Sequence, residues 1–421
     1  MIEDLEVRLD SLADAILAFN EYQADTLPLC AAETPISRFA KLPLSGDFQE
    51  RYIVGNTYSF VMDDNFIGSE FLLPFYKMVH DECAILFGSK FADPRPLSGM
   101  NCLTTILMTL TKVGDSIAIL PMDWGGHQSV RPICERLGLD VVDLPYEPAF
   151  FDIDYDRANQ MIDEHNVKFI LLAPSDIINP FAVEKFDLEG KTLLYDISQI
   201  MGLIAGGVAE NKLECGDRVV LFGGTHKTLP GPASGLILTN NVEIHDSLEV
   251  GVNPTFIRHT QMHQVISLLL ALMEMEAYGR QYGEKILDLS NALGASLAKT
   301  GYEVASIDGV YSRTHQLLLF TTLEEMHRIE RNAILHQVTL NKKEKAIVRN
   351  SGIRLGVQEI ARYDWPVDTS EIIAQIIAQL GKSDMDGEVV DALRKTLPPK
   401  RLSFTFPDEL AARIEGALHE K

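Results

Sequence analysis

A chain of 421 residues, 46% hydrophobic and 23% charged, has room for two or three domains around a large core. Its formal charge of −23 argues against a polyanion-binding surface, which needs clustered Lys and Arg, so nucleic acid is not an expected partner. The five cysteines form no CxxC pair and are odd in number, as reduced thiols rather than a disulfide framework would be.

The opening MIEDLEVRLD lacks a basic stretch followed by an apolar one, so no secretory signal is expected. Residues 3–22 place Leu5, Leu9, Leu12, Ile16 and Leu17 at helical spacing and predict an amphipathic helix. Residues 25–65 carry Pro28, Pro35, Pro43 and several glycines and read as an arm or extended loop. From residue 72 strand-like runs alternate with helical stretches: SIAIL, LDVVDL, FILLA, TLLYD, RVVLFG and GLILT. Continuous apolar runs of this kind predict strands buried on both faces of a mostly parallel α/β sheet with crossover helices. Gln261 to about Lys299 predicts one long helix or a helix pair. Its apolar stretch VISLLLALMEME is too short to cross a bilayer, so no membrane partner and a cytoplasmic location are expected. YEVAS, HQLLLF, GIRLGV and the helical SEIIAQIIAQL then suggest a smaller α+β unit. The expected division is 1–65 (helix and arm), 66–290 (large domain) and 291–421 (small C-terminal domain).

Chemistry concentrates between Leu193 and Leu236. TLLYD ends in Asp196; 31 residues on, VVLFGG leads to Thr225-His226-Lys227 and the glycine-rich 230–235. In an open parallel sheet ligands bind at the carboxyl ends of strands, so an acid and a lysine just past their strands can share one crevice. Pyridoxal phosphate needs this pair: a lysine for the Schiff base and an acid to keep the pyridine nitrogen protonated. An isolated Asp and Lys fit a helix cap and a surface lysine as well; the flanking glycines and the His226-Lys227 dipeptide weigh against that. Upstream, Ser98-Gly99-Met100 opens a helical run, where free backbone N–H groups can seat a phosphate. His127 follows Gly125-Gly126 and can stack on a flat cofactor or serve structurally. Arg354, in an apolar run, needs a planar anion, which a substrate carboxylate or a structural acid supplies equally well.

Together these segments resemble serine hydroxymethyltransferase-like fold-type I pyridoxal-phosphate enzymes (the aspartate aminotransferase-like fold) from about residue 25 to the C-terminus. Thr225 to Pro232 is similar to that family's lysine motif, Gly125-Gly126-His127 to its ring-stacking segment, Ser98-Gly99-Met100 to its phosphate loop and Gly352 to Gly356 to its carboxylate-binding motif. The resemblance implies pyridoxal 5'-phosphate held by Ser98, Gly99, Met100, His127, Ser175, Asp196, Gln199, Thr225 and Lys227. It implies catalytic roles for Lys227, His127, His226 and Asp196, and substrate contacts from Arg354, Tyr52 and Tyr58. It also implies a homodimer with shared active sites and no metal.

The departures carry as much information. The family's glutamate in K-Y-A-E-G-Y is replaced by Val54, a serine near the substrate carboxylate by Ala32, and the histidine three residues after the acid by Gln199. The glycine-rich loop lent by the partner is replaced by residues 253–260. An apolar side chain cannot exchange a proton with a hydroxyl or a folate nitrogen. Thr314-His315-Gln316, Gly352 to Gln358 and Ser403-Phe404 resemble instead the folate-independent L-threonine transaldolases of natural-product pathways. The expectation is therefore an amino acid and an aldehyde as ligands, and cleavage and formation of the Cα–Cβ bond of a β-hydroxy amino acid through a glycyl carbanion. A β- or γ-elimination or decarboxylative deamination is the alternative with the same cofactor, and a non-catalytic subunit or regulator is the alternative without chemistry.

Overall fold

The structure, a computed structural model, describes residues 2–54 and 66–419. Seven strands form one sheet in the order Phe91–Asp93, Gly235–Thr239, Val219–Gly224, Thr192–Asp196, Phe169–Leu172, Ser116–Ile119 and Asp140–Asp143. Gly235–Thr239 is antiparallel to both neighbours and the remaining pairings are parallel. The six apolar runs read from the sequence are all strands of this sheet.

Period-two alternation sends the strands' side chains into two separate cores. Leu171, Leu194, Val220, Phe222 and Ile237 pack with Cys102, Ile106 and Leu107 of the helix Gly99–Leu110. Ile170, Leu172, Leu193, Tyr195 and Leu221 face the other way, into the core shared with Leu268, Leu269 and Leu272 of the helix Met262–Lys299. Each such fully buried aliphatic side chain contributes about 1.5–3 kcal/mol. Both faces are therefore covered, which is why these strands carry no polar alternation.

A second, four-stranded antiparallel sheet runs Glu303–Val304, Gln316–Phe320, Gly352–Gly356, Asn341–Lys343. The helix Met262–Lys299 is a single unbroken element leading from the large sheet to this one, and the expected division at 290/291 falls inside it. The arm crosses between the units: Leu27–Pro28 pairs in parallel with Val338–Thr339. The first helix, Ile2–Asp25, leaves Leu5, Leu9, Leu12, Ile16 and Leu17 exposed. All five cysteines are free thiols, and among the described residues no helix is long and apolar enough to cross a membrane.

Candidate active site

The strands Thr192–Asp196 and Val219–Gly224 lie side by side and parallel, so their carboxyl ends deliver Asp196 and the Lys227 loop to one edge. Asp196 Oδ1 accepts the Ser198 backbone N–H at 2.8 Å and the Ser198 hydroxyl, and Ser198 Oγ accepts the Gly224 N–H at 2.8 Å. One serine thus ties the acid to the end of the lysine's strand. Lys227 is half-buried, and its amine makes no hydrogen bond or ion pair among the described residues. Burial lowers its pKa, Asp196 opposes that, and Arg354 lowers it further. A buried amine without a partner costs free energy unless it loses its proton or is covalently captured.

Ser98 caps the helix Gly99–Leu110, its Oγ accepting the Asn101 N–H at 3.1 Å. The amides of Gly99 and Met100 in the first turn have no acceptor within the helix. Gly99 is required by contact: a Cβ there would stand 2.6 Å from Gly224 N. The helix N-terminus therefore abuts the end of the lysine's strand, and the residues present fit a cofactor with an aldehyde, a ring nitrogen and a phosphate.

Gly125 has φ +98°, and a Cβ on it would lie 2.5 Å from the Asp176 carbonyl oxygen. Its own carbonyl accepts the N–H groups of Ser175 and Asp176 at 2.7 and 3.1 Å, and His127 N donates to Ala173 O at 2.8 Å. These bonds bring His127 over to the end of the neighbouring strand. His127 Nδ1 accepts the Ser129 N–H at 3.2 Å, which leaves the ring proton on Nε2. Burial lowers its pKa; Asp196 raises it, while Lys227, Lys345 and Lys343 lower it further. The balance favours the neutral imidazole.

Arg354 is buried beside this edge. Its Nη1 donates to Ser175 O at 2.7 Å and to Asp176 Oδ1 at 3.0 Å, and its Nη2 and Nε reach Asn341 Oδ1 at 2.7 and 3.2 Å. Of the two partners open to it in the sequence reading, the structural acid is present and is Asp176. Lys343 and Lys345 pair with the same carboxylate. Asp176, Lys343 and Lys345 carry no motif or spacing that marks them in the sequence.

Gln199 is buried and its Oε1 accepts Gln316 Nε2 at 2.9 Å; the same Gln316 amide donates to Ser175 O at 3.1 Å, and its Oε1 accepts the Ile177 N–H at 3.0 Å. Thr225 is fully buried and spends its hydroxyl proton on Pro232 O at 2.6 Å. His226 Nδ1 is buried without a partner, and the ring borders a cavity of about 390 Å³ shared with Glu33, Thr34 and Gly231. Tyr52 is not brought to this edge by its own chain: it stacks on His259 at 4.3 Å and on Phe66 at 4.7 Å. Tyr58 lies outside the described residues. Among the described residues no cluster of His, Cys, Asp or Glu could hold a metal.

A solved L-threonine transaldolase from Pseudomonas fluorescens, in its internal aldimine state, shares this fold: TM-score 0.91 at 22% identity, covering 99% of each chain. The architecture is that of the fold-type I pyridoxal-phosphate-dependent enzymes. A family profile for serine hydroxymethyltransferase matches residues 10–377. Serine hydroxymethyltransferases of Pyrobaculum aerophilum and Pyrobaculum neutrophilum are each 30% identical, over 98% of both chains and over 94% and 93% respectively. The chain belongs to the serine hydroxymethyltransferase family. It is a pyridoxal-phosphate-dependent enzyme, and the non-catalytic reading is set aside.

Proposed function

We propose that this enzyme is a folate-independent transaldolase or aldolase that cleaves and forms the Cα–Cβ bond of a β-hydroxy amino acid such as L-threonine. The observation that carries the reading is Val54. It is 3% exposed, and it stands where the resemblance expects a glutamate near the substrate hydroxyl and the folate. The likeness in fold to a transaldolase supports the same direction, although the sequence relatives described above are hydroxymethyltransferases.

Pyridoxal phosphate supplies an electron sink for the pair left at Cα when a bond to that carbon breaks. Lys227 attaches the cofactor, helped by burial that favours its neutral amine. Asp196, fixed by Ser198, holds a proton on the ring nitrogen. Ser98 with the amides of Gly99 and Met100 would hold the phosphate, and His127 would stand by the ring with its Nε2 proton available for exchange. Arg354 orients the α-carboxylate, which selects the bond that breaks. Ser175 and Gln199 act through the Gln316 bridge rather than by charge, and Thr225 shapes the loop. His226 is the second proton-exchanging candidate, on the cavity side. The exposed apolar face of the helix Ile2–Asp25 supports a homodimer with shared active sites. The protein is read as cytoplasmic and as part of natural-product chemistry.

The test is acetaldehyde release from L-threonine by the holoenzyme, with and without an acceptor aldehyde and without folate. Release that rises with the acceptor supports the reading. A keto acid and ammonia in its place favour elimination or deamination. Lys227→Ala should lose the visible absorption of the attached cofactor.

A further inference from the structure

Three cations converge on one carboxylate at the edge of the site. Lys343 Nζ and Arg354 Nη1 reach Asp176 Oδ1 at 2.8 and 3.0 Å, and Lys345 Nζ reaches Oδ2 at 2.8 Å. Lys345 also donates to Gly126 O, next to His127, at 3.1 Å. Asp176 is wholly enclosed, while the Lys343 and Lys345 side chains each keep 14% exposure. Three cations against one anion leave two positive charges where water screens poorly. Among the described residues neither lysine makes a second ion pair, and Glu344 between them is exposed. Burial and Arg354 both disfavour the charged form of Lys343, as expected of a cation short of anions.

One of the two excess charges is answered by the α-carboxylate assigned to Arg354 under the proposed function, on which this step rests. The other has no counterpart in a neutral amino acid. The structure of this cluster sits within electrostatic reach of both His127 and Lys227: the lysines act on the former, and Arg354 and Asp176 on the latter. We infer that Lys343 and Lys345 form, with Arg354, a second anion seat, so that the ligands handled here carry two carboxylate-like groups. The second group resides on the amino acid itself or on an acceptor aldehyde bound beside it. One cation suffices to neutralise Asp176, and three stand against it.

Calorimetric titration of the holoenzyme with succinate and with butyrate tests this without turnover. The two probes share a carbon chain and differ by one carboxylate. Succinate should bind about tenfold tighter or more, as one charge-assisted contact implies. Lys343→Gln and Lys345→Gln should each erode that preference, Lys343→Arg should keep it, and the change in cofactor absorption on adding glycine should persist in all three. Equal binding of the two probes by the unaltered enzyme overturns the inference. So does a loss of the glycine response as large as the loss of succinate binding, since the lysines would then only support Asp176. Rates assign the source: faster acetaldehyde release with 4-carboxybenzaldehyde than with benzaldehyde puts the second anion on the acceptor. A larger absorption response to L-aspartate than to L-alanine puts it on the amino acid. No acetaldehyde from L-threonine with any acceptor defeats the transaldolase reading alone and leaves the succinate comparison standing.

Discussion

Asp176→Asn removes the one anion that Arg354, Lys343 and Lys345 share. Burial pushes the Asp176 carboxyl up, but Arg354 first and then the two lysines outweigh it and hold the group down at about 2, against an ordinary 3.8. That displacement corresponds to about 2 kcal/mol of folding stability. The folded pKa lies below the unfolded one, so the contribution is complete above about pH 4 and is lost as pH falls towards 2; at pH 3 about half of it remains. Asparagine also leaves three cations facing one another, and breaking a buried pair costs about 3–5 kcal/mol. The partial exposure of the lysines and the retained amide oxygen move the expectation to the lower end, about 2–4 kcal/mol. Urea unfolding of the holoenzyme at pH 7 and near pH 3 measures this, with the variant's deficit expected to shrink at the lower pH. A deficit below about 0.5 kcal/mol at pH 7, or one of unchanged size at pH 3, would refute the assignment of Asp176 as the counter-ion.

Ser198→Ala deletes the acceptor of the buried Gly224 N–H and the donor to Asp196, at a cost of about 1–3 kcal/mol, and cofactor affinity measured by absorbance titration should fall with it. Gly99→Ala forces a Cβ against Gly224 N, so thermal unfolding should show about 1–3 kcal/mol of destabilisation, with a weaker grip on free inorganic phosphate by the cofactor-stripped protein. His315 is fully enclosed, and burial lowers its pKa to about 3, although the Ala31 carbonyl opposes that. The unfolded chain therefore takes up a proton near pH 6.5 that the folded chain refuses, and stability drains by up to about 4–5 kcal/mol as pH falls from 6.5 towards 3. His315→Gln should flatten that part of the profile of unfolding free energy against pH.

What the sequence made legible was whatever a local pattern encodes. FILLA, VVLFG and the Leu193–Tyr195 centre of TLLYD are continuous apolar runs because both faces of the central strands are covered, and such a run survives in a single sequence. Asp196, Lys227 and Ser98 were visible because each sits at a boundary between a run and a turn. Asp176 was not: its loop, APSDIINP, has no period, and its significance lies in partners 167, 169 and 178 residues away. Lys343 and Lys345 lie in the charge run KKEK, which no local pattern distinguishes from a solvated face. The strand Asn341–Lys343 has little propensity of its own and forms because Gly352–Gly356 pairs with it. Gln316 was noted only as a motif letter, since nothing local announces that its amide bridges Gln199 and Ser175.

The same distinction bears on the departures from the family pattern. The arm that carries Ala32 is held through its own carbonyls: Leu29 O accepts the Gly356 N–H at 2.8 Å, and Cys30 O and Glu33 O accept the Gln358 side-chain amide at 2.6 and 2.7 Å. Gly356 admits it at close range, since a Cβ there would lie 2.4 Å from Ala31 Cα. No hydroxyl at position 32 is needed to seat the segment beside the strand of Arg354, so its replacement removes a polar contact without moving the chain. Val54 is likewise buried, and Gln199 is satisfied by Gln316. The segment of Ala32 and the position of Gln199 thus keep their packing and hydrogen bonds without the family's residue. That pattern fits an enzyme that keeps cofactor attachment while exchanging the proton-transfer partners of its reaction, and it is the reason the acceptor, rather than the cofactor, is the first thing to vary at the bench.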